Sequence, residues 1–310
     1  MQLAFAGTPD FAATILGGLI SSPHEVGLVI SQPDPRKGRG RKTITTPVAE
    51  LARSHHLLLR QPARISETSD ELRHYDALIV AAYGQILRPD TLYATRKGAW
   101  NVHASLLPKY RGAAPVERAI MQGEPQTGVT VIRMDEGLDT GPIALQHPVA
   151  IPSEMNAGEL TDLLARTGAK AIVEGLGLLQ TNNLNLTEQD NVQATYASKI
   201  SDSDKVIRWE RQVRGVHDQI RALAPHIGAR TFHPGVEGPV KIWRSKMLKT
   251  GAVSSEIGRI QAENGRIAVY CGDGCLEVSE LQVPGGRRLL ARDFLLGNAL
   301  SGAFVPQYTG

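Results

Sequence analysis

Short apolar runs alternate with amphipathic stretches through the first half of the chain. Residues 3–6, 26–31, 57–60 and 77–82 read as strands, and the patterns between them predict helices near 10–21, 47–55 and 66–74. Strand and helix in strict alternation imply a parallel sheet with helices on both faces, because a parallel pair needs a crossover connection. Residues 100–104, 128–134 and 143–150 continue as strands. A long helix over 157–179 closes this half, although Gly168, Gly175 and Gly177 are each poor helix formers. The expectation is a Rossmann-like α/β domain over residues 1–180.

The texture then changes. Residues 181–204 are polar and rich in asparagine (Asn182, Asn183, Asn185, Asn191) with little periodicity, which reads as a linker. A helix is expected around 210–222. Beyond it, 240–243, 258–263, 266–271 and 275–282 are short strand candidates punctuated by glycines. Within them Ile267, Val269 and Cys271 alternate with small or polar neighbours, as a half-buried strand does. That spacing fits a small barrel or sandwich over residues 205–310.

Composition agrees with two folded domains. The chain has 310 residues, 42% of them hydrophobic and 21% charged, which excludes disorder, collagen and coiled coil as the main organisation. No apolar run reaches the ~18 residues of a membrane span. The first residues run straight into a strand, so a soluble, cytoplasmic protein is expected. Two cysteines, Cys271 and Cys275, do not make a disulfide scaffold. They read as a strand–turn–strand pair, and with no ligands at zinc spacing nearby no metal is expected. Charge adds one asymmetry: residues 205–310 carry 15 Lys and Arg against 9 Asp and Glu, while the whole chain nets only +3. A basic half suits a polyanionic partner.

Candidate chemistry concentrates in three places. In Asn101-Val102-His103, two polar side chains at i and i+2 of a strand share a face, while Val102 points the other way. A carboxamide beside an imidazole can hold a carbonyl oxygen as it gains charge, and histidine exchanges protons near neutral pH. Directly after it, Ser105-Leu106-Leu107-Pro108-Lys109-Tyr110-Arg111-Gly112 has the proline and glycine of an irregular loop. In open α/β sheets, ligands bind at the carboxyl ends of the strands. Finally, the Gly-rich turn Asp135-Glu136-Gly137-Leu138-Asp139-Thr140-Gly141 offers a carboxylate to orient the imidazole or relay a proton. Spacing leaves Asp135 and Asp139 both open. By contrast, Gly7-Thr8-Pro9 after the first strand lacks the dinucleotide-binding glycine fingerprint.

Together Asn101-x-His103, the loop from Ser105 to Gly112 and Leu138-Asp139-Thr140-Gly141 resemble the 10-formyltetrahydrofolate-dependent formyltransferases. The resemblance selects Asp139 and implies that Asn101, His103 and Asp139 are the catalytic set. It further implies that Ser105, Leu106, Leu107 and Pro108 line the folate site, joined by Tyr83 and Gly84 of Ala82-Tyr83-Gly84-Gln85, and that 10-formyltetrahydrofolate is the co-substrate. The second domain would be a small OB-like β-barrel, with Gly285-Gly286-Arg287-Arg288 and Phe304-Val305-Pro306 belonging to it.

Phe5-Ala6-Gly7-Thr8-Pro9-Asp10-Phe11 and the basic run Arg36-Lys37-Gly38-Arg39-Gly40-Arg41-Lys42 are similar to the members of that family that act on initiator methionyl-tRNA. Five cations in seven residues with glycine hinges suit phosphate contacts. Lys37, Arg39, Arg41 and Lys42 are thus the expected tRNA contacts, and no obligate protein partner is evident. N-formyltransferases of nucleotide sugars would share the trio and the folate loop, and a non-catalytic RNA-binding protein could share the scaffold. One departure stands out: where the family usually has Pro-Trp-Pro-Gly, this chain reads Pro225-His226-Ile227-Gly228.

Overall fold

The computed structural model describes residues 1–37, 42–250 and 256–307. The chain divides into two compact units. The first comprises residues 1–115, 126–150 and 161–197, and the second residues 116–125, 151–160 and 198–310. The second unit thus takes two short segments from within the first half, which a reading of contiguous domains does not anticipate. The polar stretch read as a linker runs to residue 197 as part of the first unit.

In the first unit, strands β1 (Gln2–Gly7), β2 (Glu25–Ile30), β3 (Leu59–Arg60), β4 (Ala77–Ala81), β5 (Ala99–His103), β6 (Gln126–Arg133) and β7 (Ile143–Ala150) form one sheet in the order β7-β6-β5-β4-β1-β2-β3. The five strands from β5 to β3 are parallel, as expected. β6 runs antiparallel to both of its neighbours, β5 and β7. For β7 the reason is local, since the short 134–142 turn joins it directly to β6 and without a crossover helix the chain can only double back. The central strands are apolar on both faces, with Leu3, Ala4, Phe5 and Ala6 wholly buried, as a covered parallel sheet requires.

Helix α1 (Asp10–Ile20) follows β1, and α2 (Pro47–Ser54) starts at Thr46, whose hydroxyl accepts from the Ala49 N–H at 3.3 Å while Pro47 takes the first helical position. Such a cap is worth about 1 kcal/mol. The stretch read as a helix over 66–74 is a single 3₁₀ turn, Ile65–Thr68, followed by a short α-helix, Ser69–Leu72. Helix α3 (Pro115–Met121) precedes β6, and the long α4 (Ala157–Gln180) forms despite its glycines. One of them has a purpose: a Cβ on Gly168 would lie 2.8 Å from Val102 Cγ1. The glycine lets the helix press on β5 from behind, on the face opposite Asn101 and His103.

Between α1 and β2, His24 is buried with neither ring nitrogen hydrogen-bonded. Burial, and then the charged N-terminus, hold its pKa below the usual value of 6.5. The unfolded chain therefore takes the proton first, and stability falls as pH drops below about 6.5 towards the lower folded value. Urea midpoints should decline between pH 7.5 and 5.5, and less so in His24→Phe. Identical pH dependence in the two proteins would show that His24 titrates alike folded and unfolded.

In the second unit, helix α5 (Val213–Leu223) packs on an antiparallel sheet of β8 (Ala229–His233), β9 (Val236–Thr250), β10 (Ile260–Glu263), β11 (Arg266–Cys271) and β12 (Gly274–Gln282), in the order β8-β9-β12-β11-β10. β9 is 15 residues long, although only 240–243 showed a strand pattern. β8 was not legible at all. Cys271 pairs with Gly274 across the expected hairpin, and both thiols are free. The end of the chain joins the two edges: Ala303 bridges Arg259 beside β10, and Val305 bridges Phe232 of β8. This gives the sheet its barrel character. Phe304, between those bridges, stacks on the buried Trp209 at 5.7 Å, and Trp209 Nε1 donates to Thr231 Oγ1 at 2.9 Å. Such a ring pair adds about 1 kcal/mol beyond the area it buries. At the departure noted above, Gly228 has φ +80 and a Cβ there would lie 2.9 Å from Trp243, so an aromatic ring does pack at this turn, supplied by β9.

Candidate active site

Asn101 and His103 lie at the carboxyl end of β5, beside the end of β4, where Val80 pairs with Asn101. The turn after β6 brings Asp139 over them. Asn101 Nδ2 donates to Asp139 Oδ1 at 3.3 Å, and His103 Nδ1 stands 3.6 Å from Asp139 Oδ2. That second oxygen also accepts from the Gly112 N–H at 2.8 Å. The three residues singled out in sequence are therefore one cluster, and of the two carboxylates in the turn it is Asp139 that stands beside Asn101 and His103. Asp135 instead caps its own turn, accepting from the Gly137 N–H and the Thr140 hydroxyl.

Proton placement follows from the partners. His103 Nε2 lies 2.9 Å from the Tyr110 carbonyl, and a carbonyl can only accept, so Nε2 carries a hydrogen. Nδ1 is left as the basic atom and faces the Asp139 carboxylate. Asn101 spends one N–H on Asp139 and keeps the other. The imidazole is nearly enclosed, with 6% of the residue exposed.

The Ser105–Pro108 loop is closed on itself. Ser105 Oγ donates to the Lys109 carbonyl at 2.7 Å, and the Leu107–Pro108 peptide is cis. Thr130 of β6 accepts from the Leu107 N–H at 3.1 Å and donates to the Ser105 carbonyl at 2.7 Å. Gln146 of β7 donates to the Leu107 carbonyl at 2.7 Å. Neither residue was foreseen. Thr130 had a readable signal, a polar side chain inside the apolar run Val129 to Ile132.

The neighbouring loop after β4 differs from the expectation in one respect. Tyr83 turns its ring into the core with 2% exposure, its hydroxyl has no partner, and burial pushes its pKa up to about 12. Only its main chain is engaged at the loop, where the carbonyl accepts from Thr8 Oγ1 at 3.2 Å and Gln32 Nε2 at 3.1 Å. Gly84 has φ +88, and Ile86 beside it is exposed.

Two further side chains brace the cluster. Arg111 is buried and donates through Nε and Nη2 to Gln189 Oε1 at 3.1 and 2.7 Å, and through Nη2 to Asn191 Oδ1 at 2.8 Å. Gln189 Nε2 in turn donates to the carbonyls of Asp139 and Gly141. Nothing in the local sequence around Gln189 marks it.

Of the basic run, the strand backbone of Arg36–Lys37 pairs antiparallel with Lys42–Thr43. Arg39 and Arg41 lie outside the described residues. The root of this loop is tied down: Asp34 accepts from the Thr46 N–H at 3.2 Å, Gln61 Nε2 at 2.6 Å and Arg53 Nη2 at 3.3 Å. Despite the cost of burying it, these hydrogen bonds and the arginine charge hold the Asp34 carboxyl below its ordinary pKa. Among the described residues, no group of three His, Cys, Asp or Glu side chains could hold a metal ion, and no helix is long and apolar enough to cross a membrane.

Residues 1–176 match the formyl transferase family, and residues 199–299 match the formyl transferase C-terminal domain. A methionyl-tRNA formyltransferase of Rubrobacter xylanophilus is 63% identical over 303 residues, covering 98% of this chain and 99% of that one. The chain belongs to the methionyl-tRNA formyltransferase family. It is a formyltransferase, and a second member of the family, from Chromobacterium violaceum, is 44% identical over 306 residues, with 97% of each chain covered. A solved sugar 3N-formyl transferase, determined in the presence of dTDP and 5-N-formyl-THF, shares the fold at 19% identity. Its TM-score is 0.67 over 93% of this chain and 99% of that one.

Proposed function

We propose that this chain transfers the formyl group of 10-formyltetrahydrofolate to the α-amino group of initiator methionyl-tRNA, with Asn101, His103 and Asp139 as the catalytic residues. The observation that carries this reading is the 63% identity to a methionyl-tRNA formyltransferase across both domains, with the three polar side chains gathered at one strand end. The residues present fit such a co-substrate. Asn101 has an unspent N–H for a formyl oxygen, and the adjoining loops put the left-handed Gly84 and the exposed Ile86 beside the same strand ends.

10-formyltetrahydrofolate supplies an activated formyl carbon. The neutral α-amine attacks that carbon; its nitrogen sheds a proton once the new C–N bond forms, and the departing folate nitrogen gains one as its own bond to the carbon breaks. His103 Nδ1 is the atom through which that proton passes, since Nε2 is committed to Tyr110. Asp139 faces Nδ1 and stabilises the imidazolium that forms. Asn101 aims its free N–H at the formyl oxygen as charge grows there. His103 can assist as a second donor only while Nδ1 is protonated. No net proton is consumed. Leu106 and the main chain of Gly84 would position the folate, and the basic loop and the basic stretch 205–310 would hold the tRNA by its phosphates.

Purified protein should formylate charged initiator methionyl-tRNA and leave amino-sugar nucleotides untouched when each is offered with 10-formyltetrahydrofolate. The sugar-directed alternative calls for this control because a sugar formyltransferase shares the fold. Preference for the sugar nucleotide would overturn the reading.

A further inference from the structure

Gln189 sits in the polar stretch that falls between the two family-matched segments, 1–176 and 199–299. Its neighbours Glu188 and Asp190 are exposed, yet Gln189 itself is only 8% exposed. Its carboxamide is saturated. Oε1 accepts twice from the buried guanidinium of Arg111, at 3.1 and 2.7 Å, and Nε2 donates to the Asp139 carbonyl at 2.8 Å and the Gly141 carbonyl at 2.7 Å. One side chain thus joins the two loops that meet over His103.

The geometry points to Gln189 as a positioning residue for the Asp139–His103 pair, a proposal that rests on the catalytic reading of that trio. Asp139 has φ +54, a left-handed conformation that non-glycine residues seldom adopt and hold only when their surroundings impose it. Its carboxylate must at once accept from the Gly112 N–H at 2.8 Å and from Asn101 at 3.3 Å, and face His103 Nδ1 at 3.6 Å. Gln189 grips the same residue by its main chain. It also grips Arg111, the residue between Tyr110, whose carbonyl orients His103, and Gly112. Releasing it frees both loops to drift, and misplacement of about an ångström is enough to cost a large factor in rate. Substrate contacts lie elsewhere, so binding should hardly change.

Gln189→Ala should lower kcat by roughly 10- to 100-fold, with KM for folate and for tRNA within about 2-fold of wild type. Gln189→Glu keeps the oxygen facing Arg111 but removes both N–H donors to the Asp139 turn, and it should lose a similar factor. It decides the question if the alanine variant does not fold. In a double-mutant cycle, Gln189→Ala on an Asp139→Asn background should cost less than about 2-fold, because the group it positions is already impaired. A purely structural role predicts the same fold loss on either background, and that result overturns the proposal. So does wild-type kcat in both Gln189 variants. Asp139→Asn alone tests the underlying trio: if it is slow while the Gln189 variants are fast, only the positioning role fails, and if it retains wild-type kcat the trio itself is wrong.

Discussion

His103→Ala and Asn101→Ala should each lose at least about 10²-fold in kcat, the usual result of deleting a donor or proton carrier aimed at developing charge. In the proposed mechanism the two losses have different origins. Without Asn101 the formyl oxygen has no fixed N–H to meet it, because the His103 Nε2 hydrogen is spent on the Tyr110 carbonyl at 2.9 Å. Without His103 the proton has no path between the amine and the leaving nitrogen, and Asp139 faces an empty space. Both residues stand at the end of β5, whose apolar residues Ala99, Trp100 and Val102 are buried and are untouched by either change. Melting temperatures should therefore stay within a few degrees of wild type. Single-turnover formylation of charged tRNA at saturating folate is the direct measurement, and near-wild-type rates in either variant would remove the trio from the mechanism.

Replacing Lys37, Arg39, Arg41 and Lys42 together by glutamine should raise KM for charged tRNA by an order of magnitude or more at about 0.1 M salt, while folate affinity stays unchanged. Every cation–phosphate pairing removed should flatten the log–log dependence of tRNA affinity on salt by about 0.7 to 0.9. The separation of effects follows from the fold. The loop hangs between β2 and α2, its root fixed by Asp34 to Thr46, Gln61 and Arg53, whereas Ser105–Pro108 hangs from β5 and is braced by Thr130 and Gln146. If the quadruple variant formylates tRNA as well as wild type at moderate salt, the loop is only solvated surface.

Sequence alone determined the order of strands and helices in the first half, because each apolar run and each helical face reports burial within a few residues of itself. It also supplied the chemical types of Asn101 and His103 on one strand face, since a period of two follows from the backbone. It could not choose between Asp135 and Asp139 without the family resemblance. Only the tertiary structure shows which of them lies beside Asn101, because 38 positions separate Asn101 from Asp139 and no local pattern spans that gap. The same reason hides Gln189, whose partners lie 48 to 78 positions away and whose surroundings look like tether. It hides the closing of the barrel, where residues near 305 pair with residues near 232. Tyr83 shows the converse. Its motif placed it at a ligand loop, but the space behind β4 accepted the ring, and only its carbonyl is engaged at the loop. Local periodicity records which side of an element is dry; which distant polar group meets which is settled only when the elements have packed.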